Sequence, residues 1–257
     1  MPEEKYLICE DSIEGVFTGI YDAYAFREGH EHLHIQIGEE ENLRLFASYL
    51  YITPDLVKTR KVAETIQKRL GADTYMSICR ALATEDTEKG QAVYQTVVDG
   101  ITRGSGRRVL ENSMNPHVDA VFRLSRCAAN EIHRLMEFVR FQELEQGILY
   151  SKIGPKCNIV SFLMPHFADR LPLENFVIYD EKRDLYGVHP AGKAWYLVSG
   201  MEPAPESLQL SEQEAQYQEL FTMFCQTIAI KERKNLKLQQ QMLPLRFQEY
   251  MVEFVKK

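Results

Sequence analysis

The stretch that decides the fold covers residues 130–155 and reads NEIHRLMEFVRFQELEQGILYSKIGP. Its first part continues a pattern that begins at Pro116, in which apolar residues recur every three or four positions, and this predicts a helix to about Glu137. From residue 138 to 143 apolar and polar side chains alternate, which predicts a strand. A turn around Gly147 then leads into GILYSKI and predicts a hairpin. The direct change of period indicates an α+β fold.

Outward from this stretch, the two halves of the chain differ. Before it, helical stripes at residues 13–24, 54–71, 75–83 and 89–103 accompany a short strand element that includes KYLICE. After it, a short helix is predicted at residues 158–170, and NFVIYD, DLYGV and AWYLV predict further strands. The tail from residue 211 is predicted to be helical and to be interrupted near Pro244.

The predicted fold class is therefore α+β, with a helical N-terminal part containing a short strand element, a mostly antiparallel sheet in the second half, and a helical C-terminal segment. We expect residues 1–257 to form a single domain, with sub-parts at 1–115 (mainly helical) and 116–257 (α+β). A chain of this length buries a sizeable core.

Composition excludes several classes of protein. The chain is 45% hydrophobic and 26% charged, which is typical of globular proteins. No apolar run reaches the roughly 18 residues of a membrane span. The acidic start MPEEKY lacks a signal-peptide profile, so we expect a cytoplasmic protein without a membrane partner. The five cysteines are scattered, which excludes Cys-x-x-Cys metal and redox motifs.

Charge is distributed unevenly along the chain. The net charge is −7, but residues 100–140 carry seven arginines against four acids, and residues 231–257 carry seven basic residues against three acids. The chain is thus an acidic body with two basic regions, and basic regions are typical of nucleic-acid binding. In the first region every basic residue is arginine, the better side chain for bidentate phosphate contacts.

These regions and the nearby helix ends supply the candidate nucleic-acid or phosphate ligands. GSGRR at residues 104–108 is predicted to be a loop that could lie on a phosphate backbone. Solvated arginines on a loop and on a helix face are the alternative explanation. The full candidate set is Arg107, Arg108, Arg123, Arg126, Arg134, Arg140, Arg170, Arg233 and Arg246.

Acid–base chemistry has fewer candidates. His133, His166 and Asp180 are the side chains we would assign to catalysis, although PHFADR favours a structural Asp–Arg pair over an acid–base role and a strand-end Asp180 is also a common turn residue. HEHLH at residues 30–34 has metal-like spacing, but a polar loop entering a strand explains it, so we predict no metal site and no cofactor. The serine-hydrolase and nucleotide-binding motifs are missing from the sequence.

Six motifs along the chain carry a resemblance to a known family: EIHRLMEFVRF, GILYSKIGP, PHFADR, FVIYDEKR, RKNL and MLPLRF. Together they resemble a bacterial family assigned to DNA metabolism and DNA repair, whose domain of unknown function also occurs fused to uracil-DNA glycosylase-like domains. The resemblance implies a partnership with a radical SAM protein, but it transfers no glycosylase residues. The motif positions that match are Glu131, His133, Arg134, Phe138, Arg140, Phe141, Pro165, His166, Phe167, Arg170, Asp180, Arg233, Asn235, Pro244 and Arg246.

Three functions follow as hypotheses, and the sequence leaves open whether the chain is an enzyme. The first is a DNA-repair accessory that binds single-stranded or damaged DNA and works with a radical SAM enzyme. The second is an enzyme that acts on a DNA base or nucleotide, in which case the catalytic candidates should converge in one concave site. The third is a non-catalytic adaptor whose motif residues form a buried salt-bridge network.

Overall fold

A computed structural model of the chain describes residues 4–26, 29–38, 46–200, 209–233 and 235–254. Its helices and strands are mixed along the chain, which confirms the α+β class. The chain divides into two compact units, Met1–Asn130 and Glu131–Lys257, and each is described by itself. That the whole chain behaves as one domain stays a prediction.

The first unit contains a three-stranded parallel sheet. Its strands are β1 (Glu4–Cys9), β2 (Leu33–Ile37) and β3 (Ala47–Ile52), in the order β2-β1-β3. Both pairings are parallel. The central strand β1 is buried from Tyr6 to Cys9, as expected for a parallel strand with neighbours on both sides. The segment LRLFASYLYIT predicts the strand β3 over residues 43–53, and residues 43–45 of that prediction lie outside the described residues.

Helices pack around this sheet. They are α1 (Ile13–Ala25), α2 (Leu56–Leu70), α3 (Ala72–Leu82) and α4 (Lys89–Ile101). Ser12 caps α1 by accepting the Gly15 N–H, and Asp55 caps α2 by accepting two N–H groups of its first turn. Gly71 ends α2 with a φ of 96°, in a region that glycine adopts without strain. The helical stripes predicted from the sequence are thus confirmed.

The 23-residue helix α5 (Pro116–Phe138) passes from the first unit into the second. Before it, the basic segment predicted to be a loop contains a 3-10 helix at Gly106–Glu111, which is a difference from the prediction. Gly104 and Gly106 have φ values of 85° and 55°, so the chain bends twice before this turn forms. Arg107 and Arg108 are therefore held by a short helical turn.

The second unit contains a five-stranded sheet. Its strands are β4 (Gln142–Glu143), β5 (Leu149–Ile153), β6 (Phe176–Asp180), β7 (Leu185–His189) and β8 (Tyr196–Ser199), in sequence order. The β5–β6 pairing is parallel and the other three are antiparallel, which confirms a mostly antiparallel sheet. Helix α6 (Val160–Arg170) connects the parallel pair. It packs closely on β7 because Gly187 has no side chain to meet Val160 and Met164.

The C-terminal segment is helical, as predicted. It contains α7 (Glu212–Ile228), a 3-10 turn (Lys231–Arg233), α8 (Leu236–Met242) and α9 (Leu245–Gln248). Pro244 precedes α9, so the predicted interruption is confirmed. A further break follows Ile228, where Ala229 leaves the helix in an extended conformation.

The junction quoted from the sequence differs from its prediction. Helix α5 runs through Phe138, and only Gln142 and Glu143 form the strand β4. Residues 139–141 have no regular structure. Phe141 meets Phe167 and Phe176 edge-on, at 5.3 and 5.5 Å between ring centroids.

Candidate functional site

In the first unit, two arginines of the 3-10 helix reach solvent. Arg107 and Arg108 are both exposed. Arg108 lies 3.4 Å from the Glu111 carboxylate, and both side chains are largely solvated, so this pair contributes little to stability. Within the described part of the first unit, Arg107 has no carboxylate within ion-pair distance. Its guanidinium is available to an anion.

The first-unit part of α5 also carries one arginine that is paired with a carboxylate and one that is not. Arg123 donates to the Asp119 carboxylate at 3.1 Å, four residues earlier on the helix. Arg126 is exposed and has no ion-pair partner among the residues that the structure describes. Arg107 and Arg126 are therefore the two candidate phosphate ligands of this unit whose charge is not already matched by a carboxylate.

In the second unit, the C-terminal part of α5 carries His133 and Arg134. His133 is 77% exposed and lies 3.3 Å from the Glu137 carboxylate. Arg134 is half-buried. An exposed histidine in a helical i, i+4 pair lacks the desolvated surroundings that tune a catalytic base. The geometry around His133 is that of a surface ion pair.

Arg246 belongs to a buried network rather than to a surface. Its Nη1 lies 2.9 Å from Oε1 of Glu131, a carboxylate that is only 4% exposed, and its guanidinium stacks on Phe247 at 4.6 Å. Glu131 also accepts the backbone N–H groups of Lys156 and Cys157, at 3.1 and 2.8 Å. The carboxylate thus joins α5, the loop after β5 and the C-terminal segment.

Arg140 is held in a similar way. It donates to the Glu253 carboxylate at 3.1 Å and to the Glu137 carbonyl at 2.9 Å. Glu253 is largely buried, so the pair is shielded from water on one side. The irregular chain after α5 follows from this bonding, because the Arg140 side chain satisfies the carbonyl at the helix end.

Asp180 is completely buried at the end of β6. It accepts the Lys182 N–H at 3.0 Å and a guanidinium N–H of Arg183 at 3.1 Å. Burial raises the pKa of Asp180, and the bonds from Arg183 and the backbone offset only part of that effect. Arg183 also donates to the Pro155 carbonyl, so this pair ties β6 to the loop after β5.

The remaining candidates lie on other elements. His166 is half-buried in α6 and packs edge-on against Phe167 at 5.0 Å. Arg170 is exposed at the end of α6, and Arg233 is exposed in the 3-10 turn after α7. Lys234, Lys256 and Lys257 of the basic tail lie outside the described residues.

The three catalytic candidates are consequently not brought together by direct contacts. His133 pairs with Glu137, Asp180 pairs with Arg183, and His166 packs on Phe167. A cavity of about 810 Å³ in the second unit is lined by Arg140 but by none of these three. The described arrangement is one of separate structural networks.

That cavity contains polar residues that the sequence analysis missed. Lys152 and Tyr250, which line it, both bond the carboxylate of Glu181. Burial alone would raise the pKa of Glu181, but the bonds from Lys152 and Tyr250 lower it below its usual value. Burial likewise raises the pKa of the Tyr250 hydroxyl, so it stays protonated and donates. Tyr250 packs directly over Gly154, where a side chain would clash with it.

No local sequence pattern predicts that Lys152, Glu181 and Tyr250 come together, because Lys152 and Glu181 meet through the parallel pairing of β5 and β6. The closest indication in the sequence is that Lys152 belongs to the GILYSKIGP motif and Glu181 to the FVIYDEKR motif. With the strand order known, both charges fall at the same end of adjacent strands.

The three histidines of HEHLH bond within the first unit. His32 and His34 bond the two oxygens of Glu4, at 3.0 and 2.8 Å, and His30 bonds the Tyr94 hydroxyl at 2.7 Å. Within residues 4–26, 29–38, 46–200, 209–233 and 235–254, no cluster of three histidine, cysteine or acidic side chains is placed to hold a metal ion.

A family model for a domain of unknown function, DUF4130, matches residues 87–253, well over half of the chain. The chain belongs to this family. The DUF4130 match begins just before α4 and includes all the candidate arginines together with His133, His166 and Asp180, whereas the HEHLH histidines precede it. A comparison with proteins of curated function returned no match. In the described part of this DUF4130 protein, none of the helices has both the length and the apolar character to cross a membrane.

Proposed function

We propose that this protein is a nucleic-acid-binding accessory of DNA repair or DNA metabolism that works with a radical SAM enzyme. The observation that carries the proposal is the exposure of Arg107 and Arg126 without carboxylate partners in the described first unit. The motif resemblance to the DNA-repair-associated family supplies the biological setting and the partner.

Exposed arginines bind phosphate by displacing condensed counterions, so they contribute affinity without needing a closed pocket. Arg107 is held by a 3-10 turn and Arg126 by a long helix, so both guanidinium groups are carried by ordered backbone. The planar guanidinium of arginine is pre-organised, so it loses less side-chain entropy per hydrogen bond than a lysine ammonium does. Single-stranded or damaged DNA is the proposed ligand.

A non-catalytic adaptor is the second candidate, and the pairs in the second unit favour it. Arg246 forms an ion pair with buried Glu131, and Arg140 forms one with largely buried Glu253. Residues bonded in this way maintain a fold rather than contact a ligand. Stable co-purification with the radical SAM enzyme, together with no affinity for DNA, would favour the adaptor.

The test compares variants with matched charge changes. We expect the double variant Arg107→Gln/Arg126→Gln to bind a fluorescent single-stranded oligonucleotide about tenfold or more weakly than wild type, since each lost charge-assisted contact is worth about 1 kcal/mol or more. Fluorescence anisotropy at low salt measures this affinity. Arg60→Gln/Arg69→Gln is the control, because both are exposed arginines of α2 outside the basic region and the net charge changes by the same amount. An equal loss in the control, or no binding by wild type, would refute the proposal.

A further inference from the structure

Helix α7 leaves its large apolar residues exposed to water, while a row of mostly polar residues faces the protein. Among its described side chains the half-buried ones are Glu214, Gln218, Thr222 and Cys225, which form one row along the helix. The exposed large apolar side chains are Tyr217, Leu220, Phe221, Met223, Phe224 and Ile228, each between 42 and 65% accessible. An ordinary surface helix has the opposite arrangement.

The exposed residues have the spacing that a second helix requires. Tyr217, Phe221, Phe224 and Ile228 follow one another at intervals of four, three and four, the 3.5-residue repeat of a helix-pairing seam. Three of them line an apolar groove of about 500 Å³ together with Phe141. We call this row the α7 seam.

The exposed area is large enough for a stable interface. Of the six exposed residues, all except Met223 lie within about 100° of one another around the helix. Taking about 200 Å² for each large side chain, these five residues present about 560 Å² of mostly apolar surface. Stable interfaces begin at about 600 Å² per partner, so the α7 seam with its immediate surroundings reaches the lower end of that range. Monomeric proteins rarely leave a contiguous apolar surface of this size on one helix.

The charges at the two ends of the seam identify its occupant. The N-terminal end is acidic, with Glu212 and Glu214, and the segment after the C-terminal end is basic, with Arg233 and Lys237. A copy of the same helix laid antiparallel sets acid against base at both ends. A parallel copy would set like charges together, which is unfavourable.

We propose that the protein forms a two-fold symmetric dimer in which α7 pairs antiparallel with α7 of a second copy. The seam is symmetric about a point between Thr222 and Met223, so Phe221 packs on the partner copy's Phe224 and Tyr217 on its Ile228. The same register brings Glu212 toward the basic segment around Arg233 of the other copy. Such an isologous pairing is the commonest form of protein association.

The first experiment measures the mass of the full chain in solution by analytical ultracentrifugation from about 1 to 100 µM. Wild type should be a dimer, and Phe221→Glu should raise the dissociation constant by about a hundredfold or more, because it places two carboxylates in the seam. Ala215→Glu is the matched control. Ala215 is exposed on the same helix, about 150° around the axis from the seam.

A second pair of variants tests the antiparallel orientation. Glu212→Arg and Arg233→Glu should each weaken the dimer, and their combination should restore it, since the charges are exchanged across the interface. Circular dichroism confirms that every variant is folded, which is expected because Phe221 is exposed. A monomeric wild type at all concentrations, or an unchanged dimer in Phe221→Glu, would overturn the proposal. If the double variant Glu212→Arg/Arg233→Glu forms a weaker dimer than either single variant, the antiparallel arrangement is wrong. DNA affinity is not used as a readout, so this outcome is independent of the proposed function.

Discussion

Replacing Glu131 with glutamine should destabilise the second unit strongly. The carboxylate is 4% exposed and accepts the backbone N–H groups of Lys156 at 3.1 Å and Cys157 at 2.8 Å. It also forms an ion pair with Arg246, whose Nη1 lies 2.9 Å from Oε1 without the alignment of a hydrogen bond. Glutamine keeps the shape, but it turns one acceptor oxygen into a donor amide. At least one of these donors then faces another donor and loses its bond.

The magnitude follows from these contacts. A buried donor left without a partner costs about 1–3 kcal/mol, and a largely buried guanidinium deprived of its counter-charge adds to this. We therefore expect the free energy of unfolding to fall by about 3 kcal/mol in Glu131→Gln. Urea unfolding followed by circular dichroism measures this change.

The same substitution at Glu137 is the control for Glu131→Gln. Glu137 lies on the same helix, is more than half exposed and pairs only with exposed His133 through its carboxylate. Its replacement should change the unfolding free energy by about 0.5 kcal/mol or less. If the two variants lose the same stability, or if Glu131→Gln loses less than about 1 kcal/mol, the buried network does not hold the unit together as described.

Two further predictions concern the thiols and the pH dependence. Burial raises the pKa of Cys79 to about 11, whereas Cys127 is exposed, so a disulfide reagent at pH 8 should modify Cys127 first and Cys79 only on unfolding. Cys225 is partly exposed as well, so a fast phase that persists in the double variant Cys127→Ser/Cys225→Ser would contradict this. Bonds from His34 and His32 lower the pKa of Glu4 below 4.5, so the unfolded chain binds that proton more tightly and stability falls as the pH drops below 4.5. The stability difference between wild type and Glu4→Gln should therefore be present at pH 6 and shrink toward about pH 3; a difference that does not change with pH would contradict it.

Local pattern predicted most of the secondary structure, because capping and periodicity are properties of neighbouring residues. Helices α1 and α2 lie within two residues of the predicted bounds 13–24 and 54–71, and Ser12 and Asp55 cap their first turns. The strand predicted from residue 138 was wrong in length. Phe138 packs on Phe247 and Arg140 bonds Glu253, more than a hundred residues away, and no local period reports such partners.

The candidate site was less predictable for a related reason. Sequence shows that arginines cluster, but not which of them a carboxylate neutralises. Arg246 and Arg126 both belong to basic regions of the sequence, yet Arg246 pairs with buried Glu131 and Arg126 is exposed. Likewise, the helical stripe of α7 predicted a helix correctly, while the face that meets the protein depends on long-range packing.

The salt dependence of DNA binding tests the central claim most directly. Affinity of the full chain for single-stranded DNA, measured by anisotropy between 50 and 300 mM salt, should fall steeply on a double-logarithmic plot. In Arg107→Gln/Arg126→Gln the slope should be shallower by about 1.4, since each phosphate contact on a single strand contributes about 0.7. A slope that is the same in wild type and this variant, or binding that does not respond to salt, would contradict the account.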